Sequence, residues 1–457
     1  MFENIIAQAA TDQLRADVLA GKLAPSMLFF GPAASGKGSS ALELARALSC
    51  EGEAGAPWNC QCPSCARHRS LVHPDLAAIG PRPFAAEIAA ARAAFLRDRQ
   101  SAAGRSLFAR SLRKLLSRFA PAVWEHESKS GRASPLALLQ SLEEDLAEFD
   151  RACASADASK EAQADAALEK LSASLAKNAF KLEDESLSES IPIAQVRKAA
   201  FWSRLSPTGK VKTLVIENAD RMKEDARNAL LKLLEEPPES LRIVLTAQRR
   251  ESVMPTLLSR LRPYRFHARG ADEEREIIRR VFRDARPIPE EGGGDSGAPS
   301  GALGLVGAYL DSFTPQPAEK LLPLASFFVA AVTRSAARSR GGGADISPAL
   351  AALGGYCARI AENAGLQRAD EAGHAIATLA AQTAGFEGRS FPRFLSLCLR
   401  LVSEALAHCD SGADRIRFRE IWKKRIEDAH VAHVTFNQRP ELCLESLFHR
   451  LKEDLSG

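Results

Sequence analysis

Two groups of residues near the start of the chain have types and spacings that can do chemistry, and the first is a glycine-rich loop. The segment Gly31-Pro-Ala-Ala-Ser35-Gly36-Lys37 fits the pattern G-x-x-x-x-G-K. Glycines at these positions let backbone N–H groups close around a phosphate, and the amino terminus of the following helix adds positive potential. Lys37 would reach the outer phosphates. The sequence therefore predicts a phosphate-binding loop.

The residues that would complete an ATP-hydrolysing site differ from what hydrolysis needs. The position after Lys37 normally supplies a hydroxyl to Mg²⁺, but here it is Gly38. Ser39 comes one residue late, and a shift of about 100° on a helix should aim it away from the same ion. After a later apolar run, Glu217 can still bind a metal, whereas the amide of Asn218 cannot take a proton from water. Hydrolysis is not expected, while two alternatives stay open: a loop that binds ATP with Mg²⁺, and a structural loop that has lost nucleotide.

The second group is a set of four cysteines within sixteen residues: Cys50, Cys60, Cys62 and Cys65. They form the close spacings C-x-C and C-x-x-C. Four thiolates suit a tetrahedral structural Zn²⁺, which would leave no open position for catalysis. The alternative is a set of reduced surface thiols, which would be prone to oxidation.

Strands and helices alternate around both groups. The runs 26–30, 76–79, 213–216 and 243–246 are short and apolar, as buried parallel strands are. Helical patterns lie between them, and one of these patterns ends at Pro237-Pro238. This alternation predicts an α/β domain with a parallel sheet and helices on both of its faces.

Other parts of the chain carry only helical patterns. We expect the P-loop domain to comprise 1–80 and 191–268, with the cysteine module at 50–65 and a helical insertion at 81–190 between them. A small helical lid and a Gly-rich linker would occupy 269–304, and an all-α domain would follow at 305–457. A glycine triplet, Gly341 to Gly343, marks another loop.

Composition and charge exclude little beyond membrane and secreted classes. The net charge of +4 neither requires nor excludes nucleic acid. No apolar run reaches the roughly 18 residues that span a bilayer, and the first residues are unlike a signal peptide, so we expect a cytoplasmic chain. A run of basic residues in the insertion is interpreted as a solvated helix face, with DNA binding as the alternative: Arg105, Arg110, Arg113, Lys114 and Arg118.

Taken together, these elements resemble the bacterial clamp-loader family, AAA+ proteins of the gamma/tau and delta prime types. The match covers 1–80 and 191–266 well. The segments that carry it are Met1-Phe-Glu-Asn-Ile-Ile6 with Gln8, Leu28 to Pro32, Gly36-Lys37, the cysteine cluster, His73-Pro-Asp75, Ile191 to Arg197, Ala219-Asp220, Asn228 to Pro238 and Pro255 to Arg260. The stretch from Asn437 to Phe448 is similar to the end of the delta prime collar domain.

The resemblance implies a part in DNA replication as a subunit of the DNA polymerase III clamp loader. Its partners would be gamma/tau and delta type subunits, the sliding clamp and primed DNA, with no membrane. Arg260 would act as an arginine finger in a neighbour's ATP site. The chain departs from the family in its cysteine spacing, in Leu261, and in the 81–190 insertion, which lies outside the family pattern.

Three functions compete on this basis. Gly38, Glu217 and Asn218 favour a delta prime-like subunit that does not hydrolyse ATP. A gamma/tau-type ATP-hydrolysing motor is the alternative, and a zinc-dependent DNA-binding protein is the third.

Overall fold

The computed structural model of the chain describes residues 1–53, 55–124, 135–154, 161–188, 190–286, 304–314, 318–339, 347–366, 371–383, 386, 390–407, 412–436 and 438–456. Most of the expected Gly-rich linker, the triplet Gly341–Gly343 and Asn437 lie outside these residues. The described part forms two compact units. The first comprises Met1–Ile288 and Ala302–Phe313, and the second begins at Thr314. The finer division into five segments stays a prediction.

A parallel five-stranded sheet forms the centre of the first unit. Its strands are β1 (Ser26–Phe30), β2 (Leu76–Ile79), β3 (Lys212–Ile216), β4 (Leu241–Ala247) and β5 (Arg262–Arg265). They lie in the order β2-β3-β4-β1-β5, and every pair is parallel. The P-loop follows β1 and Glu217 follows β3, so both sit at the carboxyl edge of the sheet.

Alternate residues of the strands point to opposite faces of the sheet, and each face is covered by helices. Leu28, Leu214 and Ile243 pack in one apolar cluster, while Met27, Val215 and Val244 pack in another. The helices of this unit are α1 (Ala9–Leu19), α2 (Lys37–Leu48), α3 (Pro63–Arg69), α4 (Ala85–Arg97), α5 (Ala102–Leu116), α6 (Leu136–Ala154), α7 (Glu161–Ser186), α8 (Ile193–Arg204), α9 (Glu224–Glu235), α10 (Pro255–Leu258), α11 (Ala271–Val281) and α12 (Leu305–Asp311). The predicted α/β fold is confirmed.

Helices α4 to α7 form the helical insertion and have an apolar core of their own. Phe95, Phe108 and Phe149 pack edge to face or stacked at the centre of this core. A short 3₁₀ turn, Ser117–Phe119, follows α5 and brings the chain back to the sheet. The insertion thus has an independent core but delivers its basic residues to the sheet domain.

The second unit is helical in its described residues, as predicted. Its helices are α13 (Ala318–Ser339), α14 (Pro348–Asn363), α15 (Ala372–Thr383), α16 (Ser390–Ala407), α17 (Gly412–Phe436) and α18 (Pro440–Ser456). They enclose one apolar cluster that includes Trp422 and Phe328. Within the described residues, one helix segment, Lys320–Ser339, is long and apolar enough to cross a membrane, but 72% of it is buried inside the fold.

Candidate functional site

The phosphate loop joins β1 to α2, and backbone sterics explain its glycines. Gly36 has φ of 93°, a left-handed conformation that side chains rarely adopt. Lys37 closes the loop: its Nζ donates to the carbonyl of Gly31 at 2.7 Å and to that of Pro32. Burial lowers the pKa of Lys37 to about 8, against the opposing effects of Asp220 and Glu217. Ser35 is buried beside the ammonium, at 3.3 Å.

Gly38 faces the carboxylate of Glu217 at close range. A Cβ at position 38 would lie 2.7 Å from Glu217 Oε1 and 3.6 Å from Nη1 of Arg82. A serine or threonine at position 38 would therefore displace the Glu217 carboxylate and would contact Arg82. Ser39 is exposed and does not share this face. The structure thus explains the glycine by the carboxylate and guanidinium that fill the space of a side chain.

Both oxygens of Glu217 are held by arginines that come from the insertion or its first residues. Arg82 Nη1 donates to Oε1 at 3.2 Å, and Arg118 Nη2 donates to Oε2. Burial by itself would raise the pKa of Glu217, which is 7% exposed, but Arg118 and Arg82 outweigh it and keep the pKa below its usual value. Glu217 is therefore an ionised partner of two guanidinium groups.

A second carboxylate extends these contacts. Glu87 on α4 binds both Arg82 and Lys114. Burial opposes ionisation of Glu87, yet Arg82 and Lys114 lower its pKa to about 2. The five groups Arg82, Lys114, Arg118, Glu87 and Glu217 together form the ion-pair network.

Asn218 serves a structural role at the position where hydrolysis would need a general base. Its backbone lies in the left-handed region, with φ of 52°, which asparagine tolerates better than most residues. Its side-chain amide donates to the carbonyl of Pro81 at 2.5 Å, and its backbone N–H donates to Thr246 Oγ1 at 3.1 Å. Asn218 therefore fixes the segment that carries Arg82.

A P-loop of hydrolysing type implies Mg²⁺, and the residues here do not fit that ion. Position 38 offers no hydroxyl, and both oxygens of Glu217 already accept from guanidinium groups. A metal cation would have to displace Arg82 before reaching the carboxylate. The described residues of this loop therefore form a poor site for magnesium.

The four cysteines, in contrast, fit a metal ion well. Their Sγ atoms all lie within 4.8 Å of one another, and those of Cys50 and Cys60 are 3.7 Å apart. Zn–S bonds of about 2.3 Å in a tetrahedron require sulfur atoms about 3.8 Å apart. Burial opposes ionisation of Cys62, but backbone N–H groups of Cys65 and Glu51 prevail and lower its pKa to about 6. The cluster can hold a metal ion such as zinc.

A buried arginine supports the cysteine cluster. Arg46 is 1% exposed, and its Nη1 donates to Cys65 Sγ at 3.0 Å. Glu43 accepts two of its other N–H groups, and the Ala56 carbonyl accepts a third. Arg46 therefore compensates part of the thiolate charge and ties the cluster to α2.

A known protein family and a solved structure resemble this chain. A family profile described as DNA polymerase III, delta subunit, matches residues 6–107 and 135–269, just over half of the chain. The chain belongs to this DNA polymerase III subunit family. Membership of this family implies other DNA polymerase III clamp-loader subunits as partners. No curated protein sequence matches significantly. A DNA polymerase III gamma subunit-related protein of Thermotoga maritima resembles this chain, with 18% identity, 63% of this chain and 90% of that chain covered, and a TM-score of 0.27.

The matched ranges correct one expectation about this DNA polymerase III subunit. The family match runs through 82–107 and 135–190, so most of the insertion is not outside the family pattern. Only residues 108–134 separate the two matched ranges. Lys114 and Arg118 come from this unmatched segment, whereas Arg82, Glu87 and Glu217 lie inside the match.

A second expectation, the solvated basic face formed by α5 and the turn that follows it, is wrong. The Arg118 side chain is 4% exposed and that of Lys114 is 15% exposed, because both bind carboxylates of the ion-pair network. Arg113 pairs with Asp150, and Arg110 and Arg105 donate to backbone carbonyls. The DNA-binding alternative rested on this run and loses its support.

Arg260 and the phosphate loop lie at opposite edges of the sheet. It precedes β5, which runs parallel to β1, so it lies at the amino edge of the sheet, whereas Lys37 lies at the carboxyl edge. Its Nη2 donates to Glu235 Oε1 at 2.8 Å, and its side chain is 34% exposed. Arg260 is thus accessible at an edge that its own phosphate loop does not use.

Sequence reasoning missed the two arginines that matter most here. No motif in the sequence indicates Arg82, and the basic run that contains Arg118 predicts a surface position for it. The nearest signal in the sequence was Gly38 itself, because a missing side chain implies that something else fills its space.

Proposed function

We propose that this chain is the delta prime-type subunit of a DNA polymerase III clamp loader and does not hydrolyse ATP. It would work in a ring with gamma/tau and delta type subunits that load the sliding clamp onto primed DNA in the cytoplasm. The observation that carries the proposal is the engagement of both Glu217 oxygens by Arg82 and Arg118 beside Gly38.

Two residues of the site support a chain without its own ATP chemistry. Gly38 offers no metal ligand, and Asn218 uses its amide to hold Pro81. Hydrolysis of ATP needs a bound cation at the outer phosphates and a group that orients the attacking water. Gly38 and Asn218, at the positions where these two groups are expected, perform neither role, and both oxygens of Glu217 are already bound. The cysteine cluster would hold one structural Zn²⁺ with Cys50, Cys60, Cys62 and Cys65.

ATP turnover tests the non-hydrolytic proposal against the motor alternative. We expect the purified full chain to show no ATPase activity above background, alone or with primed DNA and clamp. Lys37→Ala should leave that background unchanged. Turnover that Lys37→Ala abolishes would instead establish a gamma/tau-type motor.

We further propose that Arg260 acts in trans on the ATP of a neighbouring subunit. Guanidinium stays charged, and its planar fork can meet two phosphate oxygens. The pair with Glu235 is exposed, so it is worth about 0–1 kcal/mol and can be exchanged for a phosphate. A chain without chemistry of its own would then control the chemistry next to it.

The test of Arg260 uses a reconstituted loader. Arg260→Ala should leave assembly intact and lower clamp-dependent ATP turnover by about 10³-fold or more at the neighbouring site, as other arginine fingers do. Arg262→Ala is the matched control, because Arg262 is also exposed and pairs with a carboxylate, that of Asp17. An assembled loader that keeps the parent rate with Arg260→Ala would end the proposal.

A further inference from the structure

We propose that the guanidinium of Arg82 takes the place of the divalent cation at this phosphate loop, so that the loop binds a pyrophosphate-bearing ligand without Mg²⁺. The inference rests on the proposed function only in assuming that bound ATP is not turned over. It assigns a ligand class to the loop and a role to a residue that lies outside the G-x-x-x-x-G-K pattern.

The position of Arg82 is the first argument. In hydrolysing P-loop proteins the ion is held between the hydroxyl after the loop lysine and an acidic residue after a neighbouring strand. Here Arg82 Nη1 lies 3.2 Å from Glu217 Oε1 and 3.6 Å from the Cβ site of Gly38. A positive group therefore lies beside both of the positions that would otherwise hold the ion.

The charge balance is the second argument. The ion-pair network contains three cations and two carboxylates, all in direct contact. The network therefore carries one net positive charge. Arg110 and Glu183 lie next to it, and their opposite charges cancel, so this net charge does not change. Charges inside proteins are normally paired. The surplus positive charge favours an anion and disfavours a further cation.

Unpartnered donors on Arg118 are the third argument. Arg118 is 3% exposed, and its Nε and Nη1 have no hydrogen-bond partner among the described residues. It lines a narrow cleft with Arg82, Lys114 and Glu217, and this cleft adjoins the phosphate loop through Arg82 and Glu217, which border Gly38. Buried polar groups are rarely left unpaired, so the free donors of Arg118, whose guanidinium also lies over the Phe84 ring, favour an anion in the cleft next to Glu217.

Arg269 adds a cation on the other side of the loop. Its Nη1 donates to the carbonyl of Ala34 at 2.9 Å, and its Nη2 lies 2.7 Å from the Cβ site of Gly36. Lys37, Arg82 and Arg269 thus surround the loop with positive charge. A pyrophosphate group has two phosphates and can therefore accept from more than one of these cations at once.

The test measures binding of ATP, ADP and inorganic pyrophosphate to the full chain by calorimetry, once with excess EDTA and once with excess MgCl₂. The same dissociation constant in both buffers is the expected result. Binding that requires Mg²⁺ would overturn the inference. Failure to bind any of the three probes would also overturn it, and Arg82 and Arg118 would then serve only to hold the insertion on the sheet domain.

Two variants make the test specific. Arg82→Ala should weaken binding in EDTA by about 10- to 100-fold, the size of a lost charged hydrogen bond. Arg113→Ala is the matched control, because Arg113 belongs to the insertion but pairs with Asp150. Arg82→Lys, which keeps the charge, guards against misfolding of the alanine variant, and it should bind better than Arg82→Ala. Equal affinity of Arg82→Ala and the parent protein would contradict the inference.

The outcomes for the two proposals are distinguishable. Mg²⁺-dependent binding without turnover would overturn the role of Arg82 and leave the non-hydrolytic function intact. Turnover of ATP would overturn the proposed function, whatever the metal dependence of binding.

Discussion

The cysteine cluster and the ion-pair network are neighbouring features of one domain, but they are assembled in opposite ways. The cluster takes all four sulfur atoms from residues 50–65. The network joins Glu217 to arginines that are 135 and 99 residues away in the sequence. A site built from one short segment can be recognised from its spacing. A site built across segments can be recognised only when the fold shows which charges meet.

Removal of a cysteine from the cluster should have the largest effect on stability. Structural zinc sites contribute about 10–16 kcal/mol of binding free energy in small domains. Cys60→Ser should lose the metal and lower the unfolding temperature sharply, as followed by metal analysis and thermal unfolding. Cys153→Ser is the control, since Cys153 lies in the insertion outside the cluster. Full metal content in Cys60→Ser would show that the cluster is not a four-ligand site.

Loss of the Glu217 carboxylate should have the second-largest effect on stability, and it tests the ion-pair network separately from the cysteine cluster. Glu217→Gln leaves Arg82 and Arg118 without their shared negative partner. Breaking a buried ion pair from one side costs about 3–5 kcal/mol. Denaturant unfolding should show this loss, whereas the exposed Glu236→Gln should change stability by less than about 0.5 kcal/mol. Equal stability of the two variants would mean that the network does not hold the insertion on the sheet domain.

The smallest predicted effect is a pH dependence of stability that arises from the ion-pair network and not from the cysteine cluster. The pKa of Glu87 is lowered from 4.5 to about 2 in the folded chain. Its contribution to stability is therefore complete above the unfolded-state pKa and is lost as the pH falls from about 5 to about 2. Protonation of the cysteines also lowers the stability of the folded chain in acid. The measured quantity is therefore the difference in stability between the parent protein and Glu87→Gln. That difference should shrink with falling pH, and a constant difference would count against the network.

Much of the fold could be predicted because its signals are local. Short apolar runs such as Met27 to Phe29 alternate between the two faces of the sheet, helical spacing predicted the apolar stripes of the insertion, and the second unit was expected to be helical. The basic run on α5 could not be interpreted in the same way. Arginine usually lies at the surface of a protein. Arg118 can be buried here because it pairs with the carboxylate of Glu217.

The sequence by itself determined the chemical groups that each site contains. It placed four thiolates together, put a lysine after a glycine loop, and removed the hydroxyl at position 38. Only the tertiary structure decided what Glu217 binds. The physical reason is that ligand spacing is a property of a short segment, whereas a charge is defined by its partners. Arg82 and Arg118 reach Glu217 because the insertion packs onto the carboxyl edge of the sheet, and no pattern within either segment encodes that contact.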